Sequence, residues 1–422
     1  MVPRLIFYML FSISILFIPK LNPPTIVPGR VLIRISATAS ARIHDQLTQD
    51  FTVQSQLGTD VYSIQIPIGE ERLTAQRLSI NPDIVYAQPD HIVTAQTTPN
   101  DPRYNDQWNL AHVGMPAAWK LVTDTTALPI AILDSGVAVD HPDLAEQLWT
   151  NDNEIPNNQI DDDQNGFVDD VHGWHFFQTF RGGQATPRNN GDISDPNGHG
   201  THVSGIVGAI GNNNTGIIGI TWRAQLMIVR VLDEDLVGAE SDIIRGLQYA
   251  IDNGAKVINL SLGMDEPSPA LAEAIAEADS QGVVVVAAAG NNSGAIAYPA
   301  AYPSVIAVGA SNQQDQRADF SAYGPTLDLL APGVDILSTW NGVPYFTRSG
   351  TSMATPHVTG IAALYLTQSP QSTPTQVRSC LTFSATDLAR PGYDEKTGWG
   401  LINAARVLNR CQRPIYLPLL LK

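Results

Sequence analysis

The amino-acid sequence predicts an α/β protein with a parallel sheet covered by helices on both faces, preceded by a small α+β unit. Two observations carry this prediction. From about residue 104 onward, wholly apolar strand-like runs alternate with helix-like segments, a pattern typical of parallel strands buried between two layers of helices. Residues 27–96 instead follow the order strand, helix, strand, strand, helix, strand, which indicates a ferredoxin-like split unit.

The composition of the chain restricts its function before any motif is considered. Its 422 residues leave room for a core domain of about 300 residues and a smaller unit. Lys and Arg together number 24 against 41 Asp and Glu, which gives a formal net charge of −17, and no basic cluster offsets it. This acidic balance argues against a nucleic-acid partner and favours solubility or cation binding.

Both ends of the chain are apolar. Arg4 is followed by an apolar run of fourteen residues, 5–18, which predicts a signal peptide over residues 1–22 and a secreted, extracellular protein. The run is shorter than the roughly 20 residues of a membrane span, so we expect no stable span. An uncleaved anchor is the alternative, and anchoring to the cell envelope stays open.

The tail, residues 411–422, is also too short to span a membrane; it either packs on the domain or serves export.

Apolar periodicity and turn residues locate the individual elements. In the small unit, strands are predicted at 30–35, 61–66 and 84–87 with 91–93, and helices at 40–49 and 70–78. A polar, Pro-rich linker follows at 97–102. In the larger unit, strands are predicted at 129–133, 226–232, 256–260 and 283–289. Between them lie a helix capped by Ser241 or Asp242 and ended by Gly254, and a second helix at 271–279.

Three chemistry-bearing residues stand where a strand ends or a helix begins. Asp134 follows the strand 129–133 in Ile-Leu-Asp-Ser-Gly, His199 opens the apolar helix of Gly-His-Gly-Thr-His-Val, and Ser352 opens the helix of Gly-Thr-Ser-Met-Ala-Thr-Pro-His-Val. Sites collect at the carboxyl ends of parallel strands. A carboxylate, an imidazole and a hydroxyl are what acyl transfer through a serine requires. Alone, Ser352 would be interpreted as a helix cap.

The order Asp, His, Ser excludes the α/β-hydrolase and chymotrypsin arrangements. With all three motifs present, the chain resembles the subtilisin-like serine proteases. The resemblance implies a subtilisin-like sheet in a catalytic domain over 104–410, and an endopeptidase that forms an acyl-enzyme. Ser352 would be the nucleophile, His199 the general base and Asp134 the residue that orients it. Asn291, at the end of Val-Val-Val-Val-Ala-Ala-Ala-Gly-Asn, matches the family's oxyanion donor.

The same resemblance implies how substrate binds. Ser261, Leu262 and Gly263 match the family's substrate-binding edge and the wall of its primary pocket, and residues 232–238 match the opposite edge. Protein or peptide substrates would lie extended between these edges and bind through backbone hydrogen bonds. No charged residue is evident for the primary pocket, so we expect a broad or apolar preference. Two other classes stay open: a non-catalytic binding protein on this scaffold, and an esterase with the same triad.

Residues 27–96 resemble the family's inhibitory propeptide. The chain would then be a zymogen inhibited by its own propeptide and processed near residues 96–100 by Ser352. Parallel sheets with many non-local contacts fold slowly, so a removable folding template is physically reasonable. A permanent accessory domain is the alternative, and the mature enzyme is expected to be a monomer.

An acidic stretch, residues 157–170, has oxygen ligands at alternating positions followed by a glycine, an order that echoes the EF-hand loop. The resembled family commonly binds structural Ca²⁺, so Ca²⁺ is the expected cofactor; a solvated acidic loop is the alternative. A second site is suggested by a match to family positions around residues 143 and 212–214. The candidate ligands of the two sites are Asp161, Asp163, Asn165, Asp169 and Asp170 in the first, and Asp143 and Asn213 in the second.

The chain has two cysteines, Cys380 and Cys411. In an exported protein such a pair is predicted to form a disulfide, with a pair of buried thiols as the alternative.

Overall fold

The structure, a computed structural model, describes residues 26–36, 40–58, 60–92, 98–176, 178–179, 186–187 and 190–411. The predicted signal peptide and all but the first residue of the apolar tail lie outside these residues. The chain divides into two compact units, residues 1–96 and 97–422. In the described part of the chain, every helix is too short or too polar to cross a membrane.

The N-terminal unit is a four-stranded antiparallel sheet with two helices. Its elements are β1 (Ile26–Ile35), α1 (Ser40–Asp50), β2 (Thr52–Gln56), β3 (Val61–Gln65), α2 (Glu71–Leu78) and β4 (Ile84–His91). The strand order β2-β3-β1-β4 is that of the split unit predicted from sequence. Two details differ: β2 was not located, and the segments at 84–87 and 91–93 join into β4, although residue 93 is not described. β2 is mostly exposed, which explains why it has little apolar signal.

The second unit is built on a seven-stranded sheet in which every paired strand runs parallel to its neighbours. Its strands are β5 (Ile130–Asp134), β6 (Gly173–His175), β9 (Leu226–Arg230), β10 (Val257–Leu260), β11 (Val284–Ala288), β12 (Val305–Ser311) and β13 (Leu329–Pro332). The order across the sheet is β13-β12-β11-β10-β5-β9-β6. The predicted fold class is therefore confirmed, with three strands, β6, β12 and β13, added to those located from sequence.

Two short antiparallel pairs lie outside this sheet. They are β7 (Gln178–Thr179) with β8 (Thr186–Pro187), and β14 (Ile336–Thr339) with β15 (Tyr345–Arg348).

Helices cover both faces of the parallel sheet because its strands are apolar on both sides. Along β5, Ile130 and Ile132 belong to one hydrophobic cluster, whereas Ala131 and Leu133 belong to another; alternate side chains of a strand point to opposite faces. The helices of this unit are α3 (Trp108–His112), α4 (Met115–Ala118), α5 (His199–Gly208), α6 (Glu240–Asp252), α7 (Pro269–Ser280), α8 (Thr351–Gln368), α9 (Pro374–Phe383) and α10 (Ala404–Arg410).

The boundaries of α6 and α7 correct one sequence prediction. α6 begins at Glu240 after Ala239 and has no side-chain cap, so the predicted cap at Ser241 or Asp242 is wrong. Asp242 lies inside the helix, where its side chain is wholly buried and bonded to Arg245, so it does not cap the helix. α7 does have a side-chain cap, in which Ser268 Oγ accepts a hydrogen bond from Leu271 N.

α8 is the central helix of the fold. It is buried from Thr351 to Leu366 with the exception of Ser352, which is half-buried. A side chain at Gly360 would meet Ile220 atoms at 2.7 Å, so the absence of one lets α8 pack closely on that neighbour.

A disulfide joins Cys380 of α9 to Cys411, the residue after α10, as predicted.

Candidate active site

Four of the predicted site residues stand at the ends of elements that meet above the parallel sheet. Asp134 is the last residue of β5, His199 the first of α5, and Ser352 the second of α8. Asn291 lies three residues beyond β11. The carboxyl ends of parallel strands lie at one edge of the sheet, so this topology gathers segments that are far apart in sequence.

Asp134 and His199 are in direct contact inside the protein. His199 Nδ1 lies 2.7 Å from Asp134 Oδ1, and the residues are only 1% and 5% exposed. Ser135 N also donates to Asp134 Oδ1, at 2.8 Å. A carboxylate bound at Nδ1 keeps the proton on that nitrogen, so Nε2 of the neutral ring is left to accept a proton.

Two glycines allow this contact. A Cβ at Gly200 would lie 2.2 Å from the Gly136 carbonyl oxygen and 3.2 Å from Asp134 Cβ. Gly136 itself has φ +117°, a conformation that L side chains rarely adopt. The start of α5 can therefore approach the end of β5 only because neither residue carries a side chain.

A second buried carboxylate, Asp195, joins the two segments and was missed from sequence. It accepts from Ser135 Oγ at 2.9 Å, from Gly198 N at 2.8 Å and from Thr201 N at 2.9 Å. These bonds connect the residue after Asp134 to the residue before His199. Its signal in the sequence is weak because an Asp in a polar loop is normally solvated.

The electrostatics of the site keep His199 basic. Burial opposes a charge on His199, but the charge and hydrogen bond of Asp134 outweigh it, with a smaller contribution from Asp195. The pKa of His199 is therefore raised above its ordinary value. His202, one turn along α5, shows the opposite case: burial lowers its pKa to about 3.

Ser352 is bonded to the predicted substrate edge. Its Oγ donates to the Ser261 carbonyl at 3.1 Å, while Ser261 Oγ donates to the Ser352 carbonyl at 2.9 Å. Ser352 and His199 line the same cavity, of about 330 Å³, but no hydrogen bond joins them in this structure. A rotation about the Cα–Cβ bond of Ser352 redirects its hydroxyl, and such bonds often form only when substrate is present.

Asn291 is oriented by the start of α8. Its Oδ1 accepts from Thr351 N at 2.9 Å and from Thr351 Oγ1 at 3.0 Å. Because the backbone N–H can only donate, the oxygen of the amide must face Thr351, and Nδ2 remains available as a donor. Asn291 and Ser352 together line a second cavity, of about 260 Å³.

The two cavities contain both predicted substrate edges. The first is mainly apolar and has Ser261, Leu262 and Gly263 on one side and Leu232 to Gly238 on the other. The second is lined by Leu262 and Gly263 and by small residues, with Asp265 as its one ionisable side chain. The first also contains a carboxylate, that of Glu240. Each cavity therefore has an acidic residue in its lining that sequence analysis did not identify.

The acidic loop brings part of the first predicted ligand set together. Asp161 and Asp163 join Glu154, which was missed from sequence, so that each offers an oxygen within 4.8 Å of the others. Asn165 contacts this group, since its N–H donates to both aspartates at 3.0 Å. Three carboxylates with hard oxygen atoms are a donor set suited to Ca²⁺.

The other two predicted ligands of this loop are linked to the same group, since Asn165 Nδ2 donates to Asp163 and Asp170 and Asp169 N donates to Glu154, but they also have partners outside it. Asp170 is wholly buried and accepts from Tyr249 OH at 2.7 Å; burial is the main cause that raises its pKa. The Asp169 carboxylate accepts from the backbone N–H groups of Asn158 and Gln159 at 3.1 and 3.0 Å. Both therefore shape the loop around the carboxylate group.

The second predicted pair, Asp143 and Asn213, is also in contact. Asn213 Nδ2 donates to Asp143 Oδ1 at 2.9 Å, and Tyr345 OH donates to Oδ2 at 2.8 Å. Asp101, missed from sequence, accepts from Asn212 N at 2.9 Å on the same turn. Burial raises the pKa of Asp101, and the charge of Asp143 raises it further, as expected where two carboxylates approach each other.

Comparison with known proteins identifies the class to which this chain belongs. Residues 125–400 match the Subtilase family. M-protease of Shouchella clausii (strain KSM-K16) is 38% identical over 330 residues, which cover 78% of this chain and 74% of that protein. Subtilisin BL of Lederbergia lenta is 39% identical over 298 residues, which cover 70% and 96%.

A solved structure extends the likeness to three dimensions. A protease from Pseudoalteromonas arctica PAMC 21717 is 30% identical, with a TM-score of 0.63 over 75% of this chain and 100% of that one. The chain belongs to the Subtilase family and is a subtilisin-type serine endopeptidase.

The close packing at Gly200 is testable. Gly200→Ala should push α5 away from β5 and lengthen the Asp134–His199 contact, because the new Cβ would overlap the Gly136 carbonyl. A displacement of about 1 Å in a catalytic group lowers the rate by about 100-fold. We expect such a loss in kcat/KM on a peptide substrate, with an unchanged far-ultraviolet circular dichroism spectrum.

Ser204→Ala is the matched control on the same helix, since its buried hydroxyl has no hydrogen-bond partner within the described residues. Near-wild-type activity for both variants would show that α5 does not need its present distance from β5.

Proposed function

We propose that this subtilase is a secreted endopeptidase, made as a self-processing zymogen, in which Asp134, His199 and Ser352 form the catalytic triad. One observation carries the triad: a buried 2.7 Å contact between Asp134 and His199, in a cavity that His199 shares with Ser352. The predicted N-terminal signal peptide supports secretion.

The chemistry follows from these positions. His199 Nε2 takes the proton of Ser352 Oγ as the oxygen attacks the substrate carbonyl, and Asp134 stabilises the imidazolium that forms. The resulting oxyanion accepts hydrogen bonds from Asn291 Nδ2 and from Ser352 N, one of the N–H groups at the start of α8 that have no partner within the helix. The C–N bond then breaks as His199 gives its proton to the leaving nitrogen. Water, activated by His199, hydrolyses the acyl-enzyme.

Substrate binding is assigned to the two edges that border Ser352. An extended peptide would run between Ser261–Leu262–Gly263 and the segment 232–238, with its side chains in the two cavities. The esterase alternative uses the same triad, but it gives no role to these extended edges.

The N-terminal unit, residues 27–96, is proposed to act as an intramolecular inhibitor that the enzyme removes from itself. Support comes from its division from the rest of the chain as a separate compact unit and from the Pro-rich linker that follows it. The mature part would be the domain 104–410 with the tail 411–422, and we propose that it acts as a monomer.

Self-processing predicts a difference in mass. The secreted Ser352→Ala variant should be about 8 kDa heavier than the wild type, because it keeps residues 23–96, about 74 residues of a chain that averages 45.5 kDa per 422 residues. Mass spectrometry of both products measures this difference. Ser349→Ala is the control: this exposed hydroxyl accepts only from Asp335 N, and its variant should be processed normally. Equal masses for the wild type and Ser352→Ala would rule out self-processing.

The raised pKa of His199 predicts a pH profile. Only the neutral imidazole accepts the Ser352 proton, so kcat/KM should be lost on acidification at a pH above the ordinary histidine value of about 6.5. In Asp134→Asn the cause that raises the pKa is gone and burial lowers it, so the acid limb should move to lower pH. The same variant should lose about 10⁴ in kcat, the magnitude known for the corresponding Asp-to-Asn change in the chymotrypsin-type triad. An acid limb that stays in place would contradict the assigned role of Asp134.

We propose structural Ca²⁺ at Glu154, Asp161 and Asp163, and at the second cluster of Asp101, Asp143 and Asn213. Each cluster places carboxylates side by side, which is unfavourable unless a cation lies between them.

Calcium saturation should raise the melting temperature by about 5 °C over protein treated with a chelator, since binding to the folded state alone stabilises it. Self-digestion is avoided by blocking Ser352 with a sulfonyl fluoride. Asp161→Asn with Asp163→Asn should reduce this difference, whereas Asp152→Asn, an exposed carboxylate at the start of the same loop, should preserve it. A melting temperature that chelation does not change would argue against structural Ca²⁺.

A further inference from the structure

One cation near the active site, Arg348, has no acidic partner among the residues that the structure describes. Arg348 is the last residue of β15, four positions before Ser352. Its guanidinium carbon lies 5.2 Å from the centroid of the Trp340 ring. It is half-buried, and within the described residues its side chain makes no ion pair and no hydrogen bond. In a chain with 41 acidic residues, the guanidinium beside the catalytic cleft is thus left without a carboxylate from the part of the chain that the structure describes.

Trp340 places this arginine close to His199. The Trp340 ring packs against Gly198, where a Cβ would lie 2.6 Å from a ring atom, and Gly198 is the residue directly before His199. The ring also makes an edge contact with His202, with centroids 6.0 Å apart. The charge of Arg348 is one of those that act on His199, and it lowers the pKa that Asp134 raises.

The direction in which a bound peptide runs through the cleft determines which of its residues lies near Arg348. This inference rests on the proposed triad and substrate edges. Both cavities that contain the edge Leu262–Gly263 reach Ser352, and neither includes Trp340 or Arg348. A peptide on that edge reaches its scissile bond at Ser352. Its leaving nitrogen takes a proton from His199, so the chain beyond the bond passes His199 on the side of Trp340.

We propose that Arg348 binds an acidic side chain of the substrate within the first two residues after the scissile bond. A guanidinium presents a planar pair of donors that match a carboxylate, and stacking on an indole restricts its orientation. The cavities on the other side of Ser352 contain Glu240 and Asp265, which disfavour an acidic side chain there. Arg348 on the leaving-group side and these two carboxylates on the other side therefore favour acidic residues after the scissile bond over acidic residues before it.

Two series of internally quenched peptides test this assignment. Within each series the peptides differ only by Glu or Gln at the first or at the second residue after the scissile bond. For the wild type at low ionic strength, kcat/KM should be about fivefold higher for Glu than for Gln in one series, the upper range of an exposed ion pair. The preference should shrink in about 0.5 M salt, because salt screens exposed charges.

Variants at Arg348 should change this ratio in a defined order. Arg348→Gln should bring the Glu-to-Gln ratio to about one, and Arg348→Glu should invert it. Because the ratio is taken within each variant, any effect of Arg348 on the His199 pKa cancels. Arg103→Gln is the matched control: Arg103 lies over Tyr345 of the same strand, 5.5 Å from the ring centroid, but is already paired with Asp106. It should keep the wild-type ratio.

A ratio of one for the wild type in both series would overturn the proposal. So would a preference that is equal in the wild type and Arg348→Gln, since the selectivity would then come from another group. Failure of the wild type to cleave any of the peptides, under conditions in which it cleaves an unfolded protein, would also count against the assignment. Failure on both kinds of substrate would contradict the proposed function itself.

Discussion

The contact between Asp134 and His199 is the interaction on which the active cleft depends. It joins two residues 65 positions apart in the chain, one at the end of a central strand and one at the start of a helix. A buried imidazole without a carboxylate loses its affinity for a proton, as His202 shows on the same helix. Asp134 reverses this effect for His199, so that one ring can serve as a base while its neighbour is part of the core.

Close packing of backbone, more than any single bond, keeps this contact in place. Gly200 and Gly136 let β5 and α5 approach to a distance that any side chain would prevent, and Asp195 ties the two loops together by hydrogen bonds. On the other side of the cleft, the reciprocal bonds between Ser261 and Ser352 connect α8 to the substrate edge. The proposed nucleophile is therefore positioned by the same residues that would bind the peptide.

Charged side chains are distributed unevenly around the cleft. This distribution would make the two sides of Ser352 differ in their affinity for an acidic side chain of the substrate. Glu240 and Asp265 line the cavities on one side of Ser352, whereas Arg348 lies on the other side without an acidic partner in the described part of the chain. Further carboxylates collect in two clusters suited to a cation. Part of the acidic charge of a chain with a net charge of −17 thus lies where binding of an ion or a peptide could compensate it.

The sequence by itself determined the fold class and the four residues proposed for catalysis, because both depend on local patterns. Apolar runs of fixed period predict buried strands and helices, and each motif carries its chemistry within a few adjacent residues. Only the tertiary structure revealed the surroundings of Glu154, Asp195, Asp265 and Arg348, because the contacts that suggest a role for each residue do not follow from a local sequence pattern. The exposed strand Thr52–Gln56 was missed for a related reason: its backbone pairing with β3, and not an apolar pattern of its own, makes it a strand.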